Sequence, residues 1–280
     1  MRRLYSSIAT PFALALAIML AVALPLRAAD RGALEQFLKV TGFDVALESI
    51  RLSADSAPEI LGLEADSFGS EWSRLVAEVF DTDLMHDMAL DILSETLSDD
   101  LLTHAADFYA SDLGQRLVVV ENKSHMAEDD GLKTESGAEI IAGLQRIGSP
   151  RVDILQRLNV ASDVEGISVR AIQEVQIRFL LAAAAAGVIE LQMEEPDLRA
   201  AMAAQAEQMG EQIAASALAS AAYTYQAFSD DELQAYAEAL EHPKMQKVYT
   251  LMNAVQYEIM ANRFETIAMR LSAMQPSQDL

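Results

Sequence analysis

Leu97–Leu117 reads LSDDLLTHAADFYASDLGQRL, and Phe228–Val248 reads FSDDELQAYAEALEHPKMQKV. A shift of 131 positions superimposes the two without a gap. In both, an apolar residue, a serine and two aspartates lead into an apolar run of helical spacing. Ser98 and Ser229 are therefore expected as N-caps, since a serine oxygen accepts an orphan backbone N–H of a first helical turn. Asp99, Asp100, Asp230 and Asp231 then sit at the positive end of the helix dipole. Leu97 with Leu102, and Phe228 with Leu233, have the spacing of a hydrophobic staple. Glu232 completes a capping box in the second stretch, whereas Leu101 stands at that position in the first.

Each helix is expected to break after about three turns, at Ser111-Asp112 in the first stretch and at His242-Pro243 in the second. Proline at the first position of a new helix costs nothing, because its missing N–H has no intrahelical partner there. The repeated element is thus a short helix, a bend and a second helix.

FYASDLGQRL at Phe108–Leu117, preceded by LSDDLL, resembles the signature of the family called "domain of unknown function 2059". Phe108, Tyr109, Ser111, Gly114 and Arg116 carry the likeness, with Asp112 where the family usually has proline. The second stretch keeps Pro243 at the aligned position but has Ala239, Leu240 and Met245 in place of Phe, Tyr and Gly. The resemblance implies a helical domain of exported Gram-negative proteins and implies no reaction.

Met1–Ala29 reads as a secretory signal. Arg2 and Arg3 form the charged start, Pro11–Leu24 the uncharged apolar run, and Ala28-Ala29 the cleavage site, with Leu26 or Arg27 at the −3 position. This places the protein in the periplasm. The rival expectation is an uncleaved N-terminal anchor, the one case in which a membrane is a partner. The chain carries a net charge of −23. Loss of residues 1–29 removes three arginines and no acid, leaving about −26. Such a charge opposes nucleic-acid and anionic-membrane binding, both of which need a basic face. With 51% hydrophobic residues the chain can still build a core. It has no cysteine, which excludes disulfides, thiolate metal sites and a cysteine nucleophile.

No segment alternates with period two, so the expected fold is all-α: an antiparallel helical bundle built from two related helical units. The first spans residues 30–126 and the second 151–273. Residues 127–150, punctuated by glycines and by Gly148-Ser149-Pro150, form the hinge, with a short helix over Ala138–Ile147, and 274–280 a flexible tail. Ser70–Leu93 reads as one long helix, and Pro196 opens another that carries Leu198, Met202, Met209, Ile213 and Ala217 on one face.

Walker loops, dinucleotide fingerprints, G-x-S-x-G and H-E-x-x-H are all missing from the sequence, so no catalytic residue and no cofactor is expected. The sharpest local cluster is Asp83 to Met88. Asp83, His86 and Asp87 share one helix face and suit a hard metal ion; Met85, His86 and Met88 suit copper(I). The competing expectation is a core methionine with solvated acids. Asp100 and His104 read as a surface pair, and Tyr223, Tyr225 and Tyr236 as core filling or an aromatic groove. The function expected is a non-enzymatic binding or envelope-maintenance module whose partner is another protein or an apolar small molecule. A carrier of lipid would need a closed apolar cavity on the order of several hundred Å³. A deep polar pocket gathering His, Ser and acidic side chains would point instead to an enzyme.

Overall fold

Leu34, Phe37 and Leu38 recur at helical spacing in the first described element and are buried. The structure, a computed structural model, describes residues 30–63, 70–127, 130–163 and 166–272. The signal expected at 1–29 and the tail expected at 274–280 lie outside the described residues. Among the described residues every regular element is helical and none is a strand. None of these helices is long and apolar enough to cross a membrane.

The first half runs α1 (Arg31–Thr41), α2 (Phe43–Ser49), a 3-10 turn (Ile50–Ser56), α3 (Ala57–Ile60), α4 (Ser70–Val79), α5 (Thr82–Thr96), α6 (Asp99–Tyr109) and α7 (Asp112–His125). The single helix expected over Ser70–Leu93 is two helices. Asp81 accepts the backbone N–H of Leu84 at 2.9 Å and starts α5 afresh. Next come α8 (Asp130–Arg146), α9 (Arg151–Ser162), α10 (Ser168–Ala185), α11 (Glu195–Ala204), α12 (Ala206–Thr224), α13 (Asp230–Leu240) and α14 (Pro243–Leu271). The helix opened by Pro196 breaks at Gln205, so α11 and α12 are separate. Helix α8 is longer than the Ala138–Ile147 segment expected. It lies so close on α12 that a Cβ at Gly137 would sit 2.0 Å from the Ala219 carbonyl oxygen.

The repeated stretches are helical where expected, and α6 and α13 start and stop at aligned positions. Ser229 forms the full capping box with Glu232. Ser98 occupies the N-cap position, yet its side chain makes no capping bond, and Leu101 has no carboxylate to complete one. The bends hold as well: Ser111 Oγ accepts the Gly114 N–H, and His242 Nδ1 accepts the Lys244 N–H ahead of α14.

Helix α14 is the axis of the molecule. It packs on α4, α5 and α6 of the first half and on α9, α10 and α13 of the second. Its buried face, Met245, Val248, Met252, Val255, Ile259 and Ile267, joins one continuous core that runs from Leu34 to Leu271. The two repeated elements touch each other. Lys244 Nζ pairs with Asp100 at 2.6 Å, Arg116 pairs with Glu232 and lies over the Phe228 ring, and His104 stacks on His242 with centroids 4.2 Å apart. The Asp100–His104 pair read from the sequence is thus divided between partners in the other element.

Arg151, at the start of α9, fastens the α12–α13 connection. Its Nη1 donates to Asp230 Oδ1 at 2.6 Å, and Nη2 donates to the carbonyls of Tyr225 and Phe228 at 2.7 and 2.8 Å. Arg151→Met strands the Phe228 carbonyl, leaves that of Tyr225 with the Phe228 N–H alone, and is expected to cost about 2 kcal/mol in urea unfolding. Arg151→Lys should recover less than half of that loss, because a compact ammonium cannot span the fork.

Candidate functional site

Helix α7 buries Gly114, Leu117 and Val118, and the next residue on that face is not apolar but Glu121. The carboxylate enters a ring of hydroxyls brought from α6, the α12–α13 connection, α13 and α14. Tyr225 Oη donates to Glu121 Oε1 at 2.7 Å and Tyr236 Oη donates to the same oxygen at 2.9 Å. Tyr236 Oη is 3.1 Å from those of Tyr109 and Tyr249, and the last two hydroxyls also bond each other. Four hydroxyl protons thus serve five oxygen–oxygen contacts when Glu121 is ionised. A protonated carboxyl supplies the fifth, donating to Tyr236, with Tyr236, Tyr109 and Tyr249 then donating head to tail. Burial raises the Glu121 carboxyl above its ordinary 4.5, against the opposing pull of the two tyrosine bonds. Burial likewise raises Tyr109, Tyr225 and Tyr236 well above the usual phenol value.

Glu121 lines a cavity of about 280 Å³. Its floor and walls come from the α1–α2 turn (Thr41, Phe43), α7 (Asn122, His125), the α9–α10 connection (Asn159, Ser162, Asp163, Ser168), Tyr225, and α14 (Tyr249, Asn253, Gln256). Glu121 Oε2 accepts no hydrogen bond from the described residues and stays accessible from the cavity. The Asp163 carboxylate is taken up by the start of α10: it accepts the Ile167 and Ser168 N–H groups and the Ser168 hydroxyl. Ser162 Oγ donates to the Asn159 carbonyl, and Asn253 Nδ2 donates to the Ser162 carbonyl. The pocket therefore gathers His, Ser and acidic side chains, but neither serine proton goes to a histidine.

A second, open groove of about 730 Å³ runs between the two repeated elements, lined by Arg116, Val119, Val120, Ala227 and Phe228, with Val119 68% exposed.

The Asp83–Met88 cluster is dispersed. Met85 is buried in the core and Met88 packs against it. His86 Nε2 donates to the Asp44 carbonyl at 3.2 Å, Asp87 pairs with Arg31, and Asp83 faces solvent. Among the described residues no three His, Asp or Glu side chains converge as a metal site. Of the tyrosines singled out, Tyr225 and Tyr236 reach the Glu121 ring, whereas Tyr223 is exposed on another face.

Gly114 explains the glycine of the FYASDLG motif. A Cβ there would stand 2.4 Å from the Phe108 carbonyl oxygen and 2.5 Å from Tyr109 Cα, so α7 can fold back on α6 only through glycine. Residues 83–142 match the family described as "Uncharacterized protein conserved in bacteria (DUF2059)". The DUF2059 segment covers all but the first residue of α5, then α6, α7 and most of α8. It contributes Tyr109, Glu121, Asn122 and His125 to the ring and cavity; Tyr225, Tyr236 and Tyr249 lie outside it. No curated protein and no solved structure matches the chain.

The 131-residue shift explains how the ring divides. Tyr109 aligns with Leu240, Ala105 with Tyr236, Val118 with Tyr249 and Glu121 with Met252. All of these except Glu121 and Tyr249 are buried, and wherever one copy is polar the other is apolar. One signal for Glu121 was present in the sequence: an acid seven residues after Gly114 on a stripe otherwise apolar.

Proposed function

We propose that the protein is an exported, non-enzymatic binding module that holds a small polar molecule in the Glu121 cavity, at the junction of two related helical units of an antiparallel bundle. The observation that carries this is Glu121 Oε2, a carboxylate oxygen in a cavity that accepts no hydrogen bond from the described residues. A buried charge is costly unless something pairs with it. Export rests on the Met1–Ala29 pattern, and the periplasm would then be where the ligand is met. The polar walls favour a polar ligand over the lipid that an apolar carrier would hold. The aligned bounds of α6 and α13 support the two-unit reading. Binding is favoured over catalysis because the ring hydroxyls are committed to one another and the serine protons to Asn159 and Asp163.

The test is equilibrium dialysis of the purified protein against a small-molecule extract of bacterial cells, followed by mass spectrometry. Wild type should retain a compound that Ser162→Met, which narrows the cavity, does not. Equal retention by both, or none by either, overturns the reading. Chemical conversion of the retained compound would replace binding by catalysis.

A further inference from the structure

We propose that the ligand of this cavity is a small organic ammonium ion, an inference that rests on the binding reading above. Two carboxylates, Glu121 and Asp163, line the space beside one histidine, His125, and among the described lining residues there is no lysine or arginine. A concave site walled by one sign of charge concentrates ions of the other sign and rejects its own. Asp163 is held by the start of α10, so of the two carboxylates Glu121 is the one with an oxygen, Oε2, open to an incoming N–H donor. A charge-assisted bond there offsets the desolvation that the carboxylate suffers when the cavity is empty of cation.

The surroundings suit an organic cation better than a bare metal ion. The space, about 280 Å³, far exceeds what a single ion fills, and three acidic or histidine ligands do not converge anywhere among the described residues. Amide groups of Asn159, Asn253 and Gln256 supply further polar contacts, and Phe43 supplies an apolar wall for the carbon part of the ligand. Apolar walls with a few placed polar groups are how small-molecule sites fix orientation.

The experiment is calorimetric titration of the purified protein with methylammonium, ethanolamine, putrescine and choline, beside 1,4-butanediol and succinate, which match putrescine in span but not in charge. At least one ammonium probe should bind saturably, with the diol and the diacid at least about tenfold weaker. Glu121→Gln keeps the side-chain volume and removes a buried charge, so it should fold; it should weaken the bound ammonium probe about tenfold or more. A thermal melt of the same sample checks that the variant is folded. Failure of all four ammonium probes, tighter binding of the diol or succinate, or unchanged affinity in folded Glu121→Gln would each overturn the assignment. Retention of an uncharged or anionic metabolite in the dialysis experiment would overturn the ammonium assignment alone and leave the binding reading standing.

Discussion

Gly114→Ala is expected to lower the stability of the fold by about 3 kcal/mol or more, read as a shift of the urea midpoint. The added methyl meets backbone, the Phe108 carbonyl and Tyr109 Cα, rather than the end of a flexible side chain. Relief would require α6 and α7 to separate, and Tyr109, Glu121 and the core residues Leu117 and Val118 ride on those helices. The matched control is Gly143→Ala in α8. That position has nothing within 4 Å, and alanine there should stabilise by about 0.5–1 kcal/mol through a less free unfolded chain. Equal effects at the two sites would refute the steric account.

The second large effect is expected from Tyr236→Phe. Tyr236 is the hub of the ring: it donates to Glu121 and bonds both Tyr109 and Tyr249. Losing a hydroxyl that serves a carboxylate should cost about 2–3 kcal/mol. The loss should depend on pH. Below 4.5, the ordinary value of the carboxyl, folded and unfolded chains both hold the Glu121 proton. As pH rises past that value the unfolded chain ionises first. Because the folded carboxyl is raised, stability declines until it too has titrated, and the decrement is then constant. Tyr236 is one of the two bonds that hold the Glu121 value down, so its removal raises the carboxyl further. Urea unfolding at about pH 4 and about pH 8 should therefore show the larger wild-type-to-variant difference at the higher pH. A difference independent of pH would separate Tyr236 from the ionisation of Glu121.

The helices were legible because caps and breakers are local. Ser229 with Glu232, Pro243, and the periodic Met245, Val248, Met252, Val255 and Ile259 each announce themselves within one or two turns. The splits at Asp81 and Gln205 were missed because apolar spacing continues across both breaks, and periodicity outweighs a single cap when a stretch is read by face. The ring was illegible for a different reason. Tyr225 and Tyr236 read as core filling or an aromatic groove and Tyr109 as part of the FYASDLG motif, while the bonds that join them to Glu121 and to Tyr249 span mostly 104 to 140 residues. The Asp83–Met88 cluster shows the converse, that neighbours in sequence need not share a site. Proximity in sequence suggested a shared task, whereas the helix turns its methionines inward and its acids to Arg31 and to solvent.

Two identical halves could not have made this cavity. At the positions aligned by the 131-residue shift, the residues of the first would put Ala and Val in place of Tyr236 and Tyr249, and those of the second would put Leu and Met in place of Tyr109 and Glu121. Difference at these aligned positions, rather than likeness, is what gives the ring one carboxylate among its hydroxyls.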